Sequence, residues 1–324
     1  MNAYLRSKAD QMLERYIVLE KAFMWEPTLT KHFSALIFTQ MEKEISKEAI
    51  KNAIDVINAN TGVFSSFRGL YRFMIASLMV TESESVEGTF SRILACEQNL
   101  KEVGFKQGTH MPIASYALYK SAGDENALSV ATRAHSIYES LKSNHPWITS
   151  SDDYSMAILL AKSNCDLSRI EEAYQALNGY GFYKGNELQS LSHILALSNR
   201  PIEEVAKVCR DLKDKLKANK LTLSVSFYAA LGIISLIYFE DPQIVDEWIE
   251  LSQYLNQQKK YKWLGKGMNV LLASALVSDR WIKESEVSRI AISISIESLI
   301  AAQMAALIAT STASAAAASA AANS

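Results

Sequence analysis

The chain has 324 residues, with 33 Lys and Arg against 35 Asp and Glu, and 49% of it is hydrophobic. A chain of this length buries roughly three quarters of its unfolded surface, so folding requires neither disulfide nor metal staples. The near-neutral balance lacks the basic excess that marks a nucleic-acid partner, and a charged amphipathic pattern from the first residues onward lacks the character of a signal peptide.

Residues 4–24 form the first predicted helix, with Leu5, Met12, Leu13, Tyr16, Ala22 and Phe23 on one face. Pro27 stops it, because the residue before a proline is pushed out of the α region. Thr28–Met41 follows as a second helix, and Ser46 caps a third that runs to about Asn58.

From there a two-helix pattern recurs. The first helix of each unit is apolar on nearly every side: Leu70–Met79, Pro112–Lys120, Tyr154–Ser163, Leu188–Ser198, Val225–Tyr238 and Met268–Val277. A helix without a polar face is a buried one. The second helices carry one clean stripe, as in Ile170, Ala173, Tyr174 and Leu177, and so cover the first layer while facing water. Asp124, Asp166 and Asp241 stand where caps are needed. The segments Gly104-Phe105-Lys106-Gln107-Gly108 and Gly181-Phe182-Tyr183-Lys184-Gly185 punctuate the units. Their glycines close a helix in the left-handed conformation, and their aromatics are expected to pack between units. Looser versions surround Phe64, Trp147 and Trp263. The markers Phe64, Phe105, Trp147, Phe182, Leu221 and Trp263 are spaced 35 to 42 residues apart, the period of two-helix repeats.

The predicted fold is therefore all-α, a two-layer array of helical hairpins resembling an α-solenoid, with a closed α/α toroid as the alternative. Residues 1–60 form N-terminal helices, 61–288 the hairpin repeats, and 289–324 a C-terminal helix and Ala/Ser-rich tail, all within one structural unit. The apolar run 289–308 is interrupted by Glu297, Gln303 and several serines, which argues against a membrane span and for a helix capping the last hairpin. Residues 313–324 are expected to fray.

The stretches Ser65-Ser66-Phe67-Arg68-Gly69, Thr149-Ser150-Ser151-Asp152-Asp153-Tyr154 and Lys184 to Leu197, together with the Ala/Ser tail, resemble those of an uncharacterised protein family of Gram-positive bacteria. The likeness spans nearly the whole chain. It implies a bacterial, cytoplasmic protein and nothing about activity.

Candidate chemistry is sparse. Cys96, Cys165 and Cys209 are widely separated and read as reduced thiols. The five histidines show no metal-ligand spacing, and neither a metal nor a cofactor is implied. The basic stretch from Lys207 to Lys220 is interleaved with Asp211 and Asp214, which is the pattern of a solvated helix face. Asp152-Asp153 opens an inner helix, where the pair reads either as an N-cap with a favourable first-turn charge or as a carboxylate pair for acid–base work or a hard cation. Asn186, Gln189 and His193 share one helix face. If the inner helices run side by side, Arg68, Asp152, Asp153, Asn186, Gln189 and His193 converge on one rim. Two functions then compete: an interaction scaffold that binds a peptide or protein partner, and an enzyme of hydrolase or lyase type with a polar pocket at that rim.

Overall fold

The computed structural model describes residues 1–284 except 124 and 164. The expected Asp124 cap, the capping helix at 289–308 and the fraying tail lie outside these residues. Among the described residues there are fifteen α-helices, three short 3-10 turns and no strand.

The helices alternate between two layers. The outer layer holds α1 (Ala3–Ala22), α3 (Lys47–Ala59), α5 (Val86–Glu102), α7 (Ala127–Asn144), α9 (Ser168–Gly179), α11 (Ile202–Ala218) and α13 (Ile244–Gln257). The inner layer holds α2 (Thr28–Gln40), α4 (Arg72–Thr81), α6 (Met111–Ala122), α8 (Tyr154–Ser163), α10 (Asn186–Ala196), α12 (Tyr228–Tyr238) and α15 (Gly265–Glu284), with the one-turn α14 (Lys259–Lys262) linking α13 to α15. Inner helices are buried around nearly their whole circumference: every residue from Thr30 to Thr39 in α2 and from Tyr154 to Ala161 in α8 is buried. Outer helices bury a single stripe, Ile170, Ala173, Tyr174 and Leu177 in α9. The polarity of each helix thus sets its layer, since an all-apolar surface must be covered on every side.

The Ser46 hydroxyl caps α3 as expected, accepting from the Ala49 N–H at 3.1 Å. Asp241 and Asp166 do not take the cap positions, which fall to Gln243 and Leu167; they stand just before them and accept from the N–H groups of Gln243 and Ser168 at 3.2 and 3.0 Å. Gly104 and Gly181 have φ of +115° and +80°, and the following Phe105 and Phe182 N–H groups donate back to Leu100 and Leu177. Lys220 occupies the equivalent place after α11 with φ of +61°, and Leu221 donates back to Leu216. A single left-handed residue satisfies the otherwise unpaired carbonyls in all three cases.

The array is closed, so the toroid and not the open, solenoid-like form describes it. Inner helix α15 packs between α12 and α2, and outer α1 packs against α13 and α15. Across this seam the Gln40 amide donates to the Ala275 carbonyl at 3.2 Å, the Tyr261 hydroxyl to the Met12 carbonyl at 3.3 Å, and Lys260 pairs with Glu20. The Tyr254 hydroxyl bonds Asp10, and the terminal amine pairs with Glu250. Leu5, Met12, Leu19 and Tyr261 are fully buried there. An open array would leave those apolar faces wet. Among the described residues, the last inner helix has inner neighbours on both sides, α12 and α2.

One close approach inside the ring is set by a glycine. A Cβ on Gly232 of α12 would sit 2.8 Å from Ile194 Cγ2 and 2.9 Å from Leu191 Cδ1 of α10. Alanine is the better helix former by about 1 kcal/mol, yet overpacking costs about 1–3 kcal/mol. Gly232→Ala is therefore expected to lower stability in urea unfolding. A more stable variant would show that the two helices have room to separate.

Candidate functional site

All inner helices start at the same end of the ring. The segments leading into them touch one another in a complete circuit. Gln107 bonds Ser66 at 2.9 Å, His110 bonds Ser151 at 3.0 Å, Asn186 bonds Asp152 at 3.2 Å, and Phe182 lies 5.0 Å from Tyr228. Lys266 donates to the Lys220 carbonyl at 2.8 Å, Lys260 pairs with Glu20, and Arg72 with Glu26 at 3.5 Å.

The polar centre of this face lies between α8 and α10. A 3-10 turn, Ser151–Asp153, leads into α8. The Ser150 N–H donates to Asp153 Oδ2 at 2.9 Å, which folds the buried carboxyl back over the turn, while the Ser150 hydroxyl bonds Asp152. The half-buried Asn186 at the first position of α10 donates to Asp152 Oδ2. One turn further on, Gln189 donates from Nε2 to the Thr149 hydroxyl at 3.1 Å. His193 lies a turn deeper again, with Nδ1 3.9 Å from Asp153 Oδ1. Asn186, Gln189 and His193 line one wall because positions three, four and seven apart share a helix face.

Electrostatics make this centre neutral at its deepest point. Burial, then the charge of Asp152, push the Asp153 carboxyl up from 3.8 to about 7, against the pull of the Ser150 N–H and the Gln189 amide. Burial, assisted by His145, drives His193 down from 6.5 to about 3. A gap of 3.9 Å exceeds a hydrogen bond, and the two shifts both oppose an ion pair, so Asp153 and His193 face each other as neutral groups around pH 6. His110, at the start of α6, is pushed down by burial while Asp152 pulls it up. Its ring is 5.8 Å from that of Tyr71, whose hydroxyl is pushed far above its ordinary value by burial and then by Asp152.

Five of the six residues expected at the rim are thus brought together: Asp152, Asp153, Asn186, Gln189 and His193. Arg68 is not among them. Its guanidinium bonds the Thr61 hydroxyl at 3.2 Å and the Asn58 and Thr61 carbonyls, tying down the end of the preceding helix α3. His110 and Tyr71 escaped the sequence reading, although both stand where an inner helix begins, the same place that singled out Asp152. Among the described residues, no group of three or more His, Cys, Asp or Glu is placed to hold a metal ion, and no helix is long and apolar enough to cross a membrane.

Comparison with known proteins places the chain without assigning chemistry. It is 25% identical over 312 residues to the uncharacterized protein YeaA of Bacillus subtilis (strain 168), covering 93% of each chain. No solved structure matches. The model of a family described as "Protein of unknown function (DUF4003)" matches residues 15–305. The match takes in every residue of the polar centre, and the chain belongs to the DUF4003 family.

Proposed function

We propose that the protein binds a small polar molecule between the starts of α8 and α10 and handles a proton there, with Asp153 as the acid–base group of a hydrolase- or lyase-type reaction. One observation carries this reading. Asn186 Oδ1, Gln189 Oε1, both ring nitrogens of His193 and His110 Nε2 are all buried without a hydrogen-bond partner. Nine in ten or more buried polar groups are paired, so several orphans around one carboxyl point to a guest that satisfies them. The two amide oxygens accept only, and a neutral imidazole donates once and accepts once. The chemistry fits a molecule bearing hydroxyl or amine groups. A carboxyl that titrates near neutrality can both give and take a proton at working pH, as general acid–base catalysis requires. The competing scaffold reading loses support, because a closed ring lacks the open concave groove along which repeat arrays hold peptides.

The test is a thermal-shift screen of the full chain against polyols, sugars, amino alcohols and small amines. At least one of these classes is expected to raise the melting temperature, and Asn186→Ala is expected to abolish the rise. His193→Leu adds a stability readout. Replacing an unpartnered polar ring with an apolar side chain removes a desolvation cost of about 1–3 kcal/mol. The variant is expected to be at least as stable as the parent while losing the ligand response. If no class shifts the parent, or if Asn186→Ala responds like the parent, the pocket reading fails.

A further inference from the structure

The face that surrounds the polar centre carries a second, independent pattern. Trp25, Phe64, Trp147, Tyr183 and Trp263 are 94, 100, 96, 74 and 88% exposed. Each sits on a different turn from an outer to an inner helix, so all five share one face of the ring. Val63 and Met24 beside them are exposed to 72% each, whereas the large apolar side chains exposed elsewhere, Met1, Tyr4, Val18 and Met41, reach only 37 to 47%. Isolated exposed apolar residues need no explanation. Five nearly naked aromatic tips confined to one end of a molecule do.

Charge follows the same division. Among the described residues, the segments from outer to inner helices hold seven Lys and Arg against three Asp and Glu, of which Asp153 is buried. The segments at the opposite end hold two Lys and Arg against eight Asp and Glu. The aromatic end is therefore the basic end. Lys106 and Lys184 accompany the tips, and Lys259, Lys262 and Lys266 cluster around Trp263, all of them exposed.

We propose that this aromatic, basic face docks peripherally on an anionic lipid bilayer. Trp and Tyr favour the headgroup region, where an apolar body and a polar edge are both satisfied, and lysines near an anionic surface add attraction that salt weakens. The arrangement fits a lipid surface better than a folded partner. Protein interfaces gather their aromatic anchors at the centre of a packed patch, whereas here the tips stand apart around a polar centre. A bilayer accepts anchors at any spacing, provided they lie on one face. Such docking is an interfacial association and needs no spanning helix. It rests on residues distinct from those of the polar pocket, and its test requires no pocket ligand.

The experiment is co-sedimentation of the full chain with vesicles of phosphatidylcholine alone or with 30 mol% phosphatidylglycerol, read together with tryptophan emission. Binding is expected to be at least tenfold stronger to the anionic vesicles, to fall at 0.5 M salt, and to shift the emission to the blue as Trp25, Trp147 and Trp263 leave water. The triple variant Trp25→Ala, Trp147→Ala, Trp263→Ala and, separately, Lys259→Glu, Lys262→Glu, Lys266→Glu are each expected to lose at least tenfold in binding. Lys51→Glu, on the outer wall at α3, is expected to bind as the parent does. Because the tips are exposed, an unchanged melting temperature is expected in the tryptophan variant and serves as its folding control. Equal binding to neutral and anionic vesicles, or anionic binding that survives the tryptophan substitutions, overturns the proposal. Absence of any vesicle binding also overturns it and leaves an acidic protein as the occupant to seek.

Discussion

Tyr261→Ala is expected to reduce the unfolding free energy by about 3–5 kcal/mol, the cost of truncating a fully buried aromatic. Tyr261 belongs to the one-turn helix that leads into the last inner helix, yet its contacts are with the first two helices of the chain. Its hydroxyl donates to the Met12 carbonyl, and its ring lies 4.8 Å from that of His32 and 6.3 Å from that of Tyr16. His32 in turn stacks on Tyr16, with ring centroids 3.7 Å apart and planes 5° from parallel. Removing the Tyr261 ring takes a wall from this stack and leaves a cavity where the two ends of the chain meet. The loss should concentrate at the seam, so hydrogen exchange in α1 and α2 is expected to speed up more than exchange in α6 and α8. Trp263→Ala, two residues away but exposed, is expected to change stability by less than about 0.5 kcal/mol. A Tyr261→Ala loss as small as that of Trp263→Ala would mean that the ring is not held shut there.

The seam also shows where sequence reading stops. Layers were legible because they depend on local patterning: an all-apolar helix goes inside and a striped one outside. Closure depends on the small rotation accumulated over seven hairpins, and its contacts join residues more than 200 positions apart, as Met12 and Tyr261 do. No periodicity reports that. Boundaries slipped where a link borrows apolar residues. Leu70 and Tyr71 read as helix but precede α4, and Val225–Phe227 form a 3-10 turn before α12, with Phe227 lying against Gly267. Helix α15 runs past Val277 to Glu284, and its last turns carry charges that are paired in the packing: Arg280 reaches Asp241 at 3.4 Å and also Glu247.

The site was legible by the same local rule and failed in the same way. Positions at the starts of parallel inner helices share one rim, which brought together the Asp152 to His193 group. Arg68 satisfies the rule by position, but the free carbonyls at the end of α3 lie closer and take its donors. The aromatics divide by a margin that hydrophobicity does not record. Phe105 and Phe182 are buried as expected of their glycine-flanked turns, while Phe64, Trp147 and Trp263 point into solvent and Phe67, Thr149 and Tyr261 are the buried residues of their turns.

Acid should act on the protein through three buried groups, with opposite signs that substitutions can separate. His32 is driven from 6.5 down to about 3, chiefly by burial and then by Lys31 and Lys260, and neither ring nitrogen has a partner. A group whose folded value is depressed contributes stability that is complete above its unfolded value and lost as pH falls. Between pH 7 and pH 4.5, His32 therefore costs about 3 kcal/mol, and His193, flanked by His145, Asp152 and Asp153, about the same. Asp153 is raised from 3.8 to about 7, so its contribution is complete at low pH and lost as pH rises; over the same descent it returns about 3 kcal/mol. His32→Phe keeps an aromatic ring in the stack and removes the proton site, so its stability is expected to fall by about 3 kcal/mol less than that of the parent between these two pH values. Asp153→Asn removes the compensating group, so its stability is expected to fall by about 3 kcal/mol more. Urea unfolding of the parent and both variants at the two pH values measures these differences directly. If His32→Phe and the parent lose stability in parallel, His32 is charged in the folded ring and the tyrosine stack does not exclude water. If Asp153→Asn follows the parent, Asp153 is already ionised below neutrality, and its assignment as the acid–base group of the pocket falls with that result.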